Sequence, residues 1–239
     1  MDNVIQDRNP EPEKLNLVNK TVGIFTQPER VLASLKERPD WLFPLTVVIL
    51  ISILFAVTTR RQMMEFQKQS IYNSTIIQEE QKDEMIDRME NQSDEAFYVQ
   101  SVGGTVVSTI FVYLVAAGVF LFVGNFILGG KASFKLIFAM YSWVGLISGL
   151  EYLIKIPLVL AKDSFQVYTS LAVLLDPSQS KTLLFQILNA FDLFAIWRVA
   201  LWGMGFAVIY NFSKRTSYTA VISVYVIYLA IAIAISQMF

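Results

Sequence analysis

Five stretches of this chain are apolar enough to seek a lipid bilayer, and that constrains the fold more than any other feature. A hydrocarbon core ~30 Å thick demands ~20 mostly apolar residues per helical crossing. The stretches run from Leu42 to Thr59, Val102 to Leu128, Phe134 to Ile154, Leu183 to Tyr210 and Tyr218 to Met238. The last contains no charged residue, and Phe138, Trp143, Leu146 and Leu150 carry the third despite its small residues. Charged residues make up 16% of the chain, against ~25% in an ordinary soluble domain. The sequence thus predicts an all-α integral membrane protein with five transmembrane helices. It divides into an N-terminal segment, residues 1–41, and a five-span domain, residues 42–239, with a charged insert at 60–100 between spans one and two. The first 41 residues are polar, so no cleavable leader is expected.

Lysine and arginine near the span ends set orientation. Ten (Arg8, Lys14, Lys20, Arg30, Lys36, Arg38, Lys131, Lys135, Lys214, Arg215) would share one side, and eight (Arg60, Arg61, Lys68, Lys82, Arg88, Lys155, Lys162, Lys181) the other. The second side also carries nine carboxylates between Glu65 and Glu95. The N-terminus is therefore expected in the cytoplasm and the C-terminus outside it.

Two segments do not span. In the first, Thr26-Gln27-Pro28-Glu29 reads as a capping box that starts a helix at Thr26. Val31, Leu32 and Leu35 give that helix an apolar face, Arg30, Lys36 and Arg38 a basic one, and Pro39 ends it. Two placements suit such a helix: flat in the membrane interface, or packed on the protein's own spans. The second segment, Arg60 to Gln100, has no proline or glycine and is rich in helix formers. Met85, Ile86 and Met89 offer it a modest apolar edge. Helices projecting from the membrane are expected, as a docking surface for a partner or as a solvated hairpin. The sequons Asn73-Ser74-Thr75 and Asn91-Gln92-Ser93 matter only in a secretory pathway and are taken as chance.

Histidine and cysteine are absent, which removes imidazole acid–base chemistry, thiol nucleophiles, disulfides and most transition-metal sites. The phosphate-binding and nucleophile-elbow motifs are also missing, and Gly129-Gly130-Lys131 reads only as a tight turn. No enzyme activity, no cofactor and no metal are expected. A net charge of −1 without a basic stripe argues against nucleic acid as a partner.

Polar residues inside a span cost ~2.5–3.5 kcal/mol each when ionised, so they are candidates for function. Gln186, Asn189 and Asp192 recur every third residue of the fourth span. Arg198 follows ~9 Å further along and ~120° around the axis. This stripe is either a polar route or a set of structural contacts. Glu151 and Lys155 stand four apart near the end of the third span, where a satisfied helix-end pair is the expectation and a network with Asp192 or Arg198 the alternative. Gly145 and Gly149 form G-x-x-x-G, and Gly118, Gly124, Gly203 and Gly205 add small surfaces that let helices approach closely.

Several short runs carry a family resemblance. Ile24-Phe25-Thr26-Gln27-Pro28 and Arg38-Pro39-Asp40-Trp41-Leu42-Phe43-Pro44 resemble the opening of the Yip domain family, the Ypt/Rab-interacting membrane proteins, in its bacterial branch. Gly129 to Lys135 resembles the family's turn into its third span. Phe191 to Trp197 with Gly203 and Gly205 resembles its fourth, and Ser213 to Ala220 the lead into its last. The resemblance implies five spans and a cytoplasmic N-terminus. It associates eukaryotic relatives with vesicle traffic and small GTPases, and some bacterial ones with ABC-type exporters as accessory proteins. The insert departs from the family pattern and puts a GTPase role in doubt.

The functional expectation is a non-enzymatic accessory protein of a membrane, the bacterial inner membrane under this resemblance, which contacts lipids and binds another membrane complex such as an ABC-type exporter. The alternative is a transporter, channel or lipid-translocating protein using the polar stripe. Self-association into a homo-oligomer is left open.

Overall fold

The computed structural model describes residues 15–74, 76–180 and 182–238. Arg8, Lys14 and Lys181, counted above for orientation, and Thr75 of the first sequon lie outside the described residues. Among the described residues there is no strand, only an isolated antiparallel bridge between Ser170 and Asp192.

The first span is α3, Leu42–Thr58, which after a 71° bend continues as α4, Arg60–Tyr72. Helix α5, Glu79–Glu90, completes the insert, and α6, Asp94–Phe122, returns through the membrane and widens into a π-helical turn at Val123–Ile127. The second span thus begins eight residues before Val102, so the end of the insert belongs to the span helix. The third span is α7, Phe134–Val144, with α8, Leu146–Lys162. It runs eight residues past Ile154 because Pro157 sits within the helix instead of ending it.

The fourth stretch is not one continuous helix. An eight-residue α9, Leu183–Ala190, stops at Phe191, and α10, Leu193–Tyr210, starts anew. Asp192 causes the break. Its backbone is extended and its carboxylate accepts hydrogen bonds from the N–H groups of Phe194 (2.9 Å) and Ala195 (3.0 Å), satisfying donors that a helix start leaves orphaned. The last span is α11, Lys214–Met238. Among the described residues, four helices are long and apolar enough to cross a membrane, and a fifth crossing results if the bent pair α3 and α4 counts as one.

The N-terminal helices are α1, Leu17–Thr26, and α2, Pro28–Ser34. Thr26 does not start a helix as the capping-box reading expects. It ends α1, its hydroxyl donating to the Val22 carbonyl at 3.1 Å, while Gln27 takes the N-cap position without a side-chain bond and Pro28 opens α2. The apolar face of these helices is covered by the protein's own spans. Ile24, Val31, Leu32 and Leu35 are buried in one core with Ile137, Met140, Trp143, Ile147 and Phe206.

Close packing explains most of the small residues. A methyl group on Gly145 would strike the Tyr113 hydroxyl, one on Gly124 the Tyr210 ring, one on Gly203 the Tyr218 ring at 2.6 Å, and one on Gly205 the Met140 sulfur at 2.5 Å. Gly149 faces Ile51 at 3.1 Å, whereas a methyl group on Gly118 would meet no described atom of this chain. The Gly129-Gly130 turn is tight as expected, with Gly129 at φ +70°, and Gly130 seats the rings of Tyr210 and Phe212.

Candidate functional site

Four polar constellations stand out among the described residues, and three of them contain residues singled out in the sequence. The fourth joins Lys20 and Asp40. The Lys20 ammonium is 2% exposed and meets Asp40 Oδ1 at 2.8 Å, above the Trp143 ring, whose Nε1 donates to the Asp40 carbonyl at 2.7 Å. A buried charge persists only when paired, so this pair fastens α1 to the start of α3 and to α7. The available signal was position: Lys20 lies four residues before Ile24 and thus on the apolar face of α1.

The intramembrane stripe divides among different neighbours. Gln186 Oε1 accepts from the Ser236 hydroxyl at 2.7 Å, tying α9 to α11. Asn189 Oδ1 accepts from Ser170 at 2.8 Å. Asp192, besides capping α10, accepts a short hydrogen bond from Thr169. Asn189 and Asp192 therefore pin the connection between α8 and α9. Three polar residues that share a drifting face on an ideal helix are consumed by three separate contacts.

Arg198 joins a different group. Its Nη1 donates to Glu151 Oε2 at 2.6 Å and to the Ser148 hydroxyl at 3.1 Å, while Lys155 Nζ holds Glu151 Oε1 at 2.5 Å. The pair Glu151 and Lys155 is not the helix-end boundary that its spacing suggests. Helix α8 continues to Lys162, the Glu151 side chain is only 11% exposed, and the alternative of a network with Arg198 is the observed one. Asp192 stays outside it. Two cations share one carboxylate, which leaves this group with a formal excess of one positive charge.

The insert forms the remaining constellation. Helices α4 and α5 and the first turns of α6 lie together, stitched by Lys68 to Glu90 (2.8 Å) and by Arg60 to Asp94 (2.5 Å). Arg60 also stacks over the Phe97 ring at 4.0 Å. The hydrogen bond to Glu90 raises the Lys68 ammonium above its ordinary value. Apolar burial is thin: Ile86 and Phe97 are buried, whereas Met85 is exposed. Between the three helices lies a cavity of about 460 Å³ lined by Met63, Met64, Met89 and Phe97, with Gln67, Arg88, Gln92, Gln100 and Ser101 around them. Methionine adapts its shape to varied apolar partners. At the base of the insert, Arg61 and Gln62 both bond to Asp163, the left-handed residue that closes α8. The bond from Gln62, followed by the Arg61 charge, holds this carboxyl below its ordinary value of 3.8.

Among the described residues no three or more metal-ligating side chains cluster. The chain matches the family model described as the Yip1 domain over residues 22–235. No curated protein and no solved structure matches it.

Proposed function

Because the chain belongs to the Yip1 domain family, a family of membrane proteins, we propose that it is a non-enzymatic accessory subunit that uses the insert, residues 60–100, to dock onto another membrane complex. The observation that carries this reading is the methionine-lined cavity on a projection that buries little apolar surface of its own. The insert holds nine carboxylates against five cations, so the complementary partner surface is basic around an apolar contact. An ABC-type exporter is the proposed class of partner, and the bacterial inner membrane the proposed location.

Charge placement supports an insert on the extracytoplasmic side. Among the described residues, one end of the spans carries eight cations (Lys20, Arg30, Lys36, Arg38, Lys131, Lys135, Lys214, Arg215) and three carboxylates (Glu29, Glu37, Asp40). The other end carries six cations (Arg60, Arg61, Lys68, Lys82, Arg88, Lys162) and eleven carboxylates, the nine of the insert with Asp163 and Asp176. Including carboxylates sharpens the asymmetry, although only the cations count strongly toward orientation.

The transport reading has weaker support, since Gln186, Asn189, Asp192 and Arg198 meet different partners. Affinity purification from native membranes in mild detergent tests the docking reading, with the full chain compared to a variant lacking residues 63–95. A membrane complex that co-elutes stoichiometrically with the full chain and is lost from the variant supports it. The same complex on both, or none on either, overturns it, and recovery of multiples of this chain alone marks a homo-oligomer instead.

A further inference from the structure

The group formed by Arg198, Glu151 and Lys155 is electrically incomplete. Glu151 gives one oxygen to each cation, and the guanidinium spends Nη1 on Glu151 and Ser148. The Arg198 and Lys155 side chains keep about a fifth of their surface exposed, at 20% each. Asp192, the N-cap of the helix that carries Arg198, is committed to Thr169 and to the first turn of α10. An excess cation inside a bilayer is costly and is stabilised by an anion, a dipole or water brought to it.

Its depth identifies the anion. Arg198 lies five residues into α10, ~7.5 Å from that helix's start, and Lys155 seven residues, ~10 Å, before the end of α8 at Lys162. Both helix ends face the side that carries the insert. Lys155 turns back to Glu151, one turn deeper, whereas the Arg198 side chain leans toward the start of α10, so the remaining guanidinium donors face the phosphates of that leaflet. A phosphodiester bearing one net negative charge completes the balance. A zwitterionic headgroup does not, because its own ammonium restores the excess.

We propose that Arg198 and Lys155, sharing Glu151, form a binding site for the phosphate of an anionic phospholipid in the leaflet adjoining the insert. The guanidinium donors left by Glu151 and the remaining ammonium donors of Lys155 hold the phosphate oxygens. Glu151 positions both cations and limits the charge to the single excess that one phosphodiester matches. The site is independent of the docking proposed for the insert.

Native mass spectrometry of the full chain, released from bilayers of equal parts phosphatidylglycerol and phosphatidylcholine, reads the site directly. The wild type is expected to retain phosphatidylglycerol preferentially. Lys155→Gln and Arg198→Gln should each lower that retention about tenfold, as the loss of a charge-assisted hydrogen bond does, and Glu151→Gln should raise it. Thermal unfolding of each variant separates loss of lipid from loss of fold. If Arg198→Gln fails to fold, Lys155→Gln carries the test, since that side chain contacts Glu151 at the edge of the group. A wild type with no preference, or a preference unchanged in Lys155→Gln, overturns the proposal. Stabilisation by inorganic phosphate alone, without lipid retention, assigns the site to a free ion and overturns the lipid as its occupant.

Discussion

The N-terminal helices α1 and α2 and the insert helices α4 and α5 are both polar segments adjoining the first span, yet they are integrated in opposite ways. The first pair buries Ile24, Val31, Leu32 and Leu35 to 1% exposure or less against the spans and sinks a lysine into the core with its counter-charge. The second pair has Ile86 as its one buried apolar side chain, with Phe97 of α6 beside it, and relies largely on ion pairs at the surface. Surface pairs contribute ~0–1 kcal/mol each, whereas a fully buried leucine or isoleucine contributes ~1.5–3 kcal/mol. The N-terminal helices are thus part of the membrane domain, and the insert is an appendage held largely by surface contacts.

Substitutions can break or sharpen that contrast. The largest effect is expected from Trp143→Ala, which removes the ring under Lys20 and the donor to Asp40. A loss of ~3–5 kcal/mol is expected for a buried tryptophan, read as thermal unfolding in detergent. A loss below ~1 kcal/mol would show that the N-terminal helices are not part of the core. A smaller effect, ~2–3 kcal/mol, is expected from Lys20→Met. This lies at or below the lower end of the ~3–5 kcal/mol range for a broken buried pair because the Asp40 side chain retains 19% exposure. Amide exchange should then accelerate across α1 and leave α5 unchanged; equal acceleration of both would mean that the two segments are coupled.

The smallest effect concerns the hinge between insert and bundle. Asp163 has its carboxyl held below the ordinary value of 3.8 by Gln62 and Arg61. Its contribution is therefore fully present above that value and is lost as pH falls through the lower folded one. Amide exchange at the start of α4 should speed up only below about pH 3.8, and Asp163→Asn should remove that dependence while the core helices stay protected. A dependence that survives the substitution would place the titrating group elsewhere.

Much of this architecture was legible in the sequence because the decisive quantity, a run of apolar residues near bilayer length, is one-dimensional. Five candidate spans followed from it, the helical insert from its helix-forming composition, and the family from short motif runs. The break at Phe191 and Asp192 did not, although an aspartate before an apolar run is also the signature of a helix cap. Within a long apolar stretch it reads as an intramembrane charge, and only the three-dimensional contact with Thr169 separates the two. The same limit hid the role of Glu151. Its spacing to Lys155 reports a partner on its own helix, whereas the partner that binds it into the core, Arg198, is 47 residues away. The pairing of Lys20 with Asp40 across 20 residues was missed for the same reason.

The central claim is that the insert receives a partner through its methionine-lined cavity, and site-specific photo-crosslinking in native membranes tests it most directly. Crosslinkers at Gln67 and Gln100, exposed beside the cavity, should each give one discrete adduct, and one at Asp176, exposed at the same end of the spans, should give none. No adduct at either cavity position, or the same adduct from Asp176, would contradict it.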